Sequence, residues 1–350
     1  MKIGVMTFHW ATNYGAALQA YALVKHLRQS GHEAEDINYL PKRTMRRLRF
    51  FDFYLRRFTN IKRAGKFKSF RKNFLTVSKK TYGCNKDLYK IGTAYDAVIT
   101  GSDQIWNDSF LTTAEKTPTP SYYLDFVPEN VLRISYAASF GINTLTENQL
   151  RYGIPELKKF HAVSVREDNA VHLLLQENVP AVTVCDPTLL IEPQDYAPII
   201  AAGCTKKTDV FNFMLRKGRA SSDKTDAFIT TECFSGKTNL GDGILTVEQW
   251  LWKLKNCDLV VTDSFHCTVF AILFHKPFLA VNDKDCSMNA RIKTLTQRLG
   301  LEHRVVDCFD PEKIRNILTS EDIDWALVDR NRRQWAKESA QFLCEHLKGN

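Results

Sequence analysis

Three short stretches of this sequence hold side chains able to move protons or grip anions. In Thr262-Asp263-Ser264-Phe265-His266 an imidazole follows three helix-capping residue types. Thr, Asp and Ser accept hydrogen bonds from the free N–H groups of a first helical turn, so a helix is predicted from near His266 to about Phe274. A helix N-terminus favours an anion through its N–H groups and its dipole. An imidazole at that point, with an ordinary pKa of about 6.5, can give or take a proton at neutral pH. A capping or packed histidine has the same appearance in sequence. Arg166 closes the apolar run Ala162–Val165, and its planar donor fork suits a carboxylate or phosphate; a salt bridge to Glu167 or Asp168 is the competing use. In Gly101-Ser102-Asp103-Gln104-Ile105-Trp106-Asn107 small residues give way to a polar rim suited to hydroxyl-rich ligands. Asp103 there is either a base or the acceptor that fixes a turn.

Each stretch follows a predicted strand. Leu259–Val261 precedes the His266 corner, Ala162–Val165 precedes Arg166, and Asp96–Thr100 precedes the Asp103 loop. The chain opens with a strand at Lys2–Phe8, a polar loop through Asn13-Tyr14-Gly15, a helix over Ala16–Arg28 stopped by Ser30-Gly31, and a second strand at Glu33–Tyr39. That is a βαβ opening, whose first loop faces the ligand edge of a parallel sheet. The loop lacks the spaced glycines of a dinucleotide fingerprint, which argues against a Rossmann oxidoreductase. Further strands are predicted at Arg133–Ala138, Thr183–Leu190, Asp209–Leu215, Asp226–Thr231 and Phe278–Val281, with helices at Glu147–Lys159, Asn169–Glu177, Thr246–Lys255 and Asn289–Leu299. A linker is predicted at Pro193–Pro198, and terminal helices at 311–318 and 328–347. The predicted domains are 1–192, carrying a basic helical insertion at about 41–90, then 199–327, then a C-terminal helix at 328–350 that packs back on the first.

A chain of 350 residues favours two domains. Its hydrophobic content of 44% and charged content of 25% are those of an ordinary globular protein. The start MKIGVMTFHW has no signal-peptide pattern and no apolar run reaches membrane-spanning length, so a cytoplasmic protein is expected. Nine cysteines, none in a C-x-x-C pair and several within apolar runs, fit reduced thiols better than disulfides or zinc, and no metal is expected. The net charge of +9 is local: residues 41–80 hold fifteen Lys or Arg against the single acid Asp52, leaving a net −5 for the remainder. Interleaved phenylalanines make that segment amphipathic. It reads as solvated helices with an aromatic inner face, as a contact for an anionic membrane, or as a nucleic-acid surface.

Taken in order, FHWATNYGAALQAYAL, VITGSDQIWN, ISYAASFG, VSVRE, DPTLL, LVVTDSFHCTVFAILFHKPFLAV and ARIKTLTQRLGL resemble the polysaccharide pyruvyl transferase family over nearly the whole chain. The resemblance implies an α/β fold of two Rossmann-like lobes facing a cleft, similar to the GT-B architecture. It implies transfer of the enolpyruvyl-derived unit of phosphoenolpyruvate onto sugar hydroxyls of a surface or capsular polysaccharide precursor, giving a pyruvate ketal and phosphate. The family histidine falls on His266 and the donor-holding arginine on Arg166; Lys284 and Arg291 both match a further basic donor position. Cys267 stands where a glycine commonly follows the histidine, placing a side chain where a ligand would approach backbone.

The chemistry asks for such residues in its own right. Phosphoenolpyruvate brings a carboxylate and a phosphate together, so it needs two or more cations and a helix N-terminus. Arg166, one of Lys284 or Arg291, and the helix start at Ser264 and His266 supply that set, with His266 as proton carrier. Asn13, Tyr14, Asp103 and Gln104 are expected on the acceptor side. No cofactor is called for, phosphoenolpyruvate being the donor substrate, and the glycan acceptor is open to being lipid-linked, with peripheral contact to the inner membrane face through residues 41–80. Two other readings compete: a GT-B glycosyltransferase using a sugar nucleotide, and a non-catalytic module binding nucleic acid or membrane through the basic segment.

Overall fold

The structure, a computed structural model, describes residues 1–41, 64–109, 121–215, 220–233, 245–282, 290–320 and 322–348. The chain divides into two compact units, Met1–Ile191 with Ala336–Asn350, and Glu192–Trp335. Each is a Rossmann-like α/β unit built on a parallel sheet.

The first sheet runs β2 (Glu33–Asp36), β1 (Lys2–Met6), β3 (Ala97–Thr100), β4 (Leu132–Ala138), β5 (Ala162–Val165) and β6 (Val182–Thr183) in that spatial order, all parallel. Alternate residues of β1 serve opposite faces: Ile3 and Val5 pack with Leu23, Val24 and Leu27 of the Tyr14–Gln29 helix, while Met6 joins the core under Trp106 and Tyr122. Because β2 lies on one side of β1 and β3 on the other, strand order reverses between β1 and β3. In open parallel sheets such a switch point leaves a crevice at the carboxyl ends of the strands. The loops carrying Asn13 and Asp103 leave β1 and β3 there.

The second sheet runs β10 (Val305–Val306), β9 (Phe278–Val281), β8 (Leu259–Thr262) and β7 (Val210–Phe213), again parallel. The Phe265–Leu273 helix is buried along its whole length, so the corner after β8 is set between a sheet and a packed helix. The last helix, Trp325–His346, is assigned to the second unit up to Trp335 and to the first unit from Ala336.

Several predicted elements take another form. Asp226–Thr231 is not a strand: the Ala220–Phe228 helix runs into a π-helical turn at Ile229–Cys233. Its β-branched residues mimic a strand, but Ser222, Thr225, Phe228 and Ile229 are the buried positions, spaced as one helical face. Of the predicted strand Thr183–Leu190 only the start is extended, in β6, because Asp186 caps a 3-10 turn at Pro187–Leu189. Strand pairing of β2 stops at Asp36, three residues short of the prediction, and Tyr39 bridges Tyr82 alone. The Pro193–Pro198 linker is helical, with a Glu192/Asp195 capping box leading into the Ala197–Ala202 helix. Of the basic segment, 42–63 lies outside the described residues; the helix 64–74 buries Phe67 and Phe70, with Phe67 5.1 Å from the Tyr14 ring. That part of the segment has the aromatic inner face anticipated for it.

Candidate functional site

In the second unit, β8 ends in a corner tied down by its own polar residues. Thr262 Oγ1 donates to the Phe213 carbonyl at 2.6 Å and accepts the Ser264 N–H at 3.0 Å. Asp263, fully buried, accepts the Leu215 N–H at 2.6 Å and the Ser222 hydroxyl at 3.2 Å, which binds the ends of β7 and β8 together. Ser264 is the N-cap, its hydroxyl accepting the Cys267 N–H. The helix therefore begins at Phe265, one residue ahead of the sequence estimate, and places His266 in its first turn, 7% exposed. The His266 ring meets Phe265 edge-on at 5.1 Å, and the Arg291 guanidinium lies over the other partner of that pair, 5.8 Å from the Phe265 ring centre. Of the two basic candidates, Arg291 stands beside the helix start, while Lys284 lies outside the described residues. This corner unites an imidazole, a guanidinium and a positive helix end, a set suited to a small, highly charged anion.

Cys267 does not reach out of this corner. Its side chain is wholly buried, and burial pushes the thiol well above its ordinary range despite a contact with Thr262. The obstruction expected from replacing a glycine is turned inward.

In the first unit, the loop after β3 is built around Asp103. Gly101 has φ +122 and an added Cβ would lie 2.1 Å from the Tyr136 carbonyl oxygen, so this residue can be only glycine. Ser102 is fixed on three sides: its N–H donates to Gln19 Oε1 at 3.1 Å, its carbonyl accepts Thr7 Oγ1 at 3.0 Å, and its hydroxyl donates to Asp186 at 3.1 Å or to the Ala137 carbonyl at 3.0 Å. Asp103 follows with φ +80 and accepts the Gln104 N–H on Oδ1 at 2.8 Å. Its carbonyl accepts the Ser139 N–H, stitching the loop to the end of β4. Gln104 is buried and receives Asn107 Nδ2 on its side-chain oxygen, against Gly141, whose missing Cβ leaves room for that oxygen. Asn13 is exposed and caps the first helix, accepting from Ala16; Tyr14 is buried against Phe67.

Arg166 is 1% exposed, with NH1 on Asp186 Oδ2 at 2.6 Å and NH2 on Asp103 Oδ1 at 3.4 Å. It thus pairs with Asp186 and Asp103, where Glu167 and Asp168 are the partners weighed from sequence. Burial alone would depress this guanidinium, but Asp186, Asp103 and Glu167 outweigh it and hold the pKa above the ordinary value. Glu167 is itself buried, taking the Ser139 hydroxyl at 2.7 Å. Asp186 and Gln19 had no role in the sequence reading. An Asp-Pro-Thr cap signature marks the first, and a lone amide on the apolar face of an Ala/Leu helix marks the second.

Among the described residues no group of three His, Cys, Asp or Glu is placed to hold a metal ion, and no helix is long and apolar enough to cross a membrane.

Comparison with known proteins adds the remaining findings. A family model described as polysaccharide pyruvyl transferase matches residues 13–285. No curated protein matches the sequence. Among solved structures, UDP-N-acetylglucosamine 2-epimerase from Rickettsia bellii is 10% identical, with a TM-score of 0.55 over 99% of this chain and 96% of that one. UDP-GlcNAc 2-epimerase from Neisseria meningitidis bound to UDP-GlcNAc is 9% identical, with a TM-score of 0.54 over 100% of both chains. Anabaena Alr3699/HepE in complex with UDP and glucose is 13% identical, with a TM-score of 0.52 over 99% of each. At such identities the likeness is one of fold, and it places the chain in the GT-B-like class expected from the sequence.

Proposed function

Because the chain belongs to the polysaccharide pyruvyl transferase family, we propose that it moves the enolpyruvyl-derived unit of phosphoenolpyruvate onto two hydroxyls of a glycan, forming a pyruvate ketal and releasing phosphate. The observation that carries this reading is the corner at His266, where an imidazole in the first turn of a capped helix has Arg291 beside its neighbouring ring. Arg291 and the helix start are assigned the donor's phosphate and carboxylate, and Ser264 holds that start in shape. His266 is assigned the proton. C3 of the enol gains a proton and becomes a methyl group, C2 becomes cationic, and one sugar oxygen bonds to C2 as its hydroxyl proton leaves. The C2–O bond to phosphate then breaks, and a second sugar oxygen bonds to C2 with loss of its proton. One of the two hydroxyl protons replaces the proton given to C3 and the other leaves with phosphate or solvent. Asp103 in the first unit is the candidate acceptor for a hydroxyl proton, with Asn13 and Gln104 at the same loop edge; Tyr14, packed on Phe67, supports that edge.

The test is phosphate release. Phosphoenolpyruvate with a glycan acceptor should yield phosphate, and phosphoenolpyruvate alone should not. His266→Ala should lower turnover by roughly 10²-fold or more, the usual effect of removing a general acid–base group; near-native turnover in that variant would sink the assignment.

A second reading has a specific observation behind it, since two structures of this fold hold UDP-GlcNAc, or UDP and glucose. It makes the chain a sugar-nucleotide enzyme. Calorimetry with a uridine diphosphate sugar separates the two: micromolar binding without any phosphate release from phosphoenolpyruvate would favour it.

A further inference from the structure

We propose that Asn282 binds the glycan, its side-chain oxygen accepting a hydrogen bond from one of the two sugar hydroxyls that form the ketal. The inference deepens the reading just given and rests on it for the identity of the ligand. It brings an acceptor hydroxyl to the corner of the second unit that holds His266.

The strands fix where Asn282 lies. Phe213, Thr262 and Ala280 form one row across β7, β8 and β9, and Ser264 and Asn282 each stand two residues beyond that row, at the carboxyl edge. Leu279 and Val281 pack with Val261 and Val306 in the core on one face of the sheet. By alternation Phe278, Ala280 and Asn282 take the other face. On that face Trp250 joins Phe213 to Phe270, at ring distances of 5.7 and 5.9 Å, and Phe270 belongs to the Phe265–Leu273 helix. Asn282 thus lies on the side of the sheet that the His266 helix covers, at the edge where that helix begins.

Its hydrogen bonding is incomplete in one specific way. Asn282 is 6% exposed, its main-chain N–H donates to the Val306 carbonyl at 2.7 Å, and Nδ2 lies 3.5 Å from Asp307 Oδ1. A carboxylate only accepts, so the amide nitrogen is the atom on that side. Oδ1 is buried and has no hydrogen-bond partner among the described residues. An unpaired amide oxygen is costly to bury, and the strand does not ask for it, since the bond to Val306 is one that almost any residue makes. The partner it suits is set by its chemistry. Oδ1 takes an O–H or N–H and repels the oxygens of a phosphate or carboxylate. Phosphoenolpyruvate as a trianion offers it nothing, whereas a sugar hydroxyl offers its proton. An amide does not take that proton up, so Asn282 positions the hydroxyl and leaves proton transfer to other groups.

The experiment uses the full chain, phosphoenolpyruvate and a panel of methyl hexopyranosides as acceptor probes. Asn282→Ala should raise KM for the best glycoside about tenfold, with the calorimetric Kd for phosphoenolpyruvate within about twofold of native. Deoxy glycosides complete the cycle: deleting the bound hydroxyl should weaken inhibition of the native protein about tenfold and that of the variant by less than about threefold. Equal acceptor KM in both proteins, or a donor Kd raised about tenfold, would overturn the proposal. Should Asn282→Ala fail to fold, a crystal structure of the native protein with the glycoside decides. A sugar oxygen should lie within hydrogen-bond distance of Oδ1, and a protein N–H or a phosphoenolpyruvate oxygen in that place would refute the assignment. The same structure keeps the two readings apart. If no glycan supports phosphate release, the parent reading fails; a glycoside oxygen on Oδ1 would still sustain this one, and a glycoside bound elsewhere or not at all would sink it.

Discussion

His9 shows how one buried side chain can set the acid limit of the protein. It follows β1 at 2% exposure, and burial lowers its pKa to about 4, against the pull of the Thr7 carbonyl and Asn38 and with help from the Arg71 charge. A histidine of lowered pKa binds its proton in the unfolded chain first. Its contribution to stability is therefore intact above the unfolded value of about 6.5 and is lost as pH falls toward the folded value, by up to about 3 kcal/mol. His26 and His32 are lowered in the same direction, so only a variant isolates the His9 share. His9→Gln should flatten the loss of stability between pH 6.5 and 4, read by urea unfolding at several pH values, and an unaltered slope would contradict the assignment. At this scale legibility divides sharply. Ser264 and His266 were readable because a cap and the residue after it are neighbours in the chain. The pairing of Arg166 with Asp186 was not, since it joins the ends of two strands twenty residues apart.

Among the elements, the last helix has the plainest pattern, and from sequence it is expected to pack back on the first domain. Its amphipathic face can be read from 328–347, but periodicity does not name the surface it covers. In the first unit Leu343 and Leu347 are buried among Ile3, Val5 and Leu23, and the Ser339 hydroxyl accepts the Cys185 N–H at 2.9 Å. Leu343→Ala should cost the first unit about 3 kcal/mol, within the range for a buried leucine, and leave the second unit's stability unchanged. Hydrogen exchange resolved by unit would measure this, and an equal loss in both units would show that the helix end is not confined to the first core. The misread strand at Asp226–Thr231 has a related cause. Threonine and isoleucine favour strands, but burial at helical spacing overrode that preference.

For the molecule as a whole, charge is the property sequence conveyed most directly. The helix 64–74 turns Phe67 and Phe70 inward and leaves Lys66, Lys68 and Lys72 exposed. If a lipid-linked glycan is the acceptor, this face is suited to an anionic membrane surface. Reversing the three lysines to Glu should weaken partitioning onto anionic vesicles about a hundredfold at low salt, taking ~1 kcal/mol per Lys, with turnover on a soluble acceptor unchanged. Equal partitioning of native and variant protein would remove the membrane from consideration.

The first unit is discontinuous, made of Met1–Ile191 and Ala336–Asn350 with the second unit encoded between them. During synthesis this inverts the usual order in which the earlier domain matures first. When Ile191 leaves the ribosome, the apolar cluster on β1 and β3 has the Tyr14–Gln29 helix over it but still lacks Leu343 and Leu347, and it lacks them while the whole of Glu192–Trp335 is made. The second unit can close its core as soon as its own last residue emerges. A nascent chain of this protein thus carries an incompletely covered apolar face for the time needed to translate some 140 residues, and chaperones have their longest opportunity on the half that begins first and finishes last.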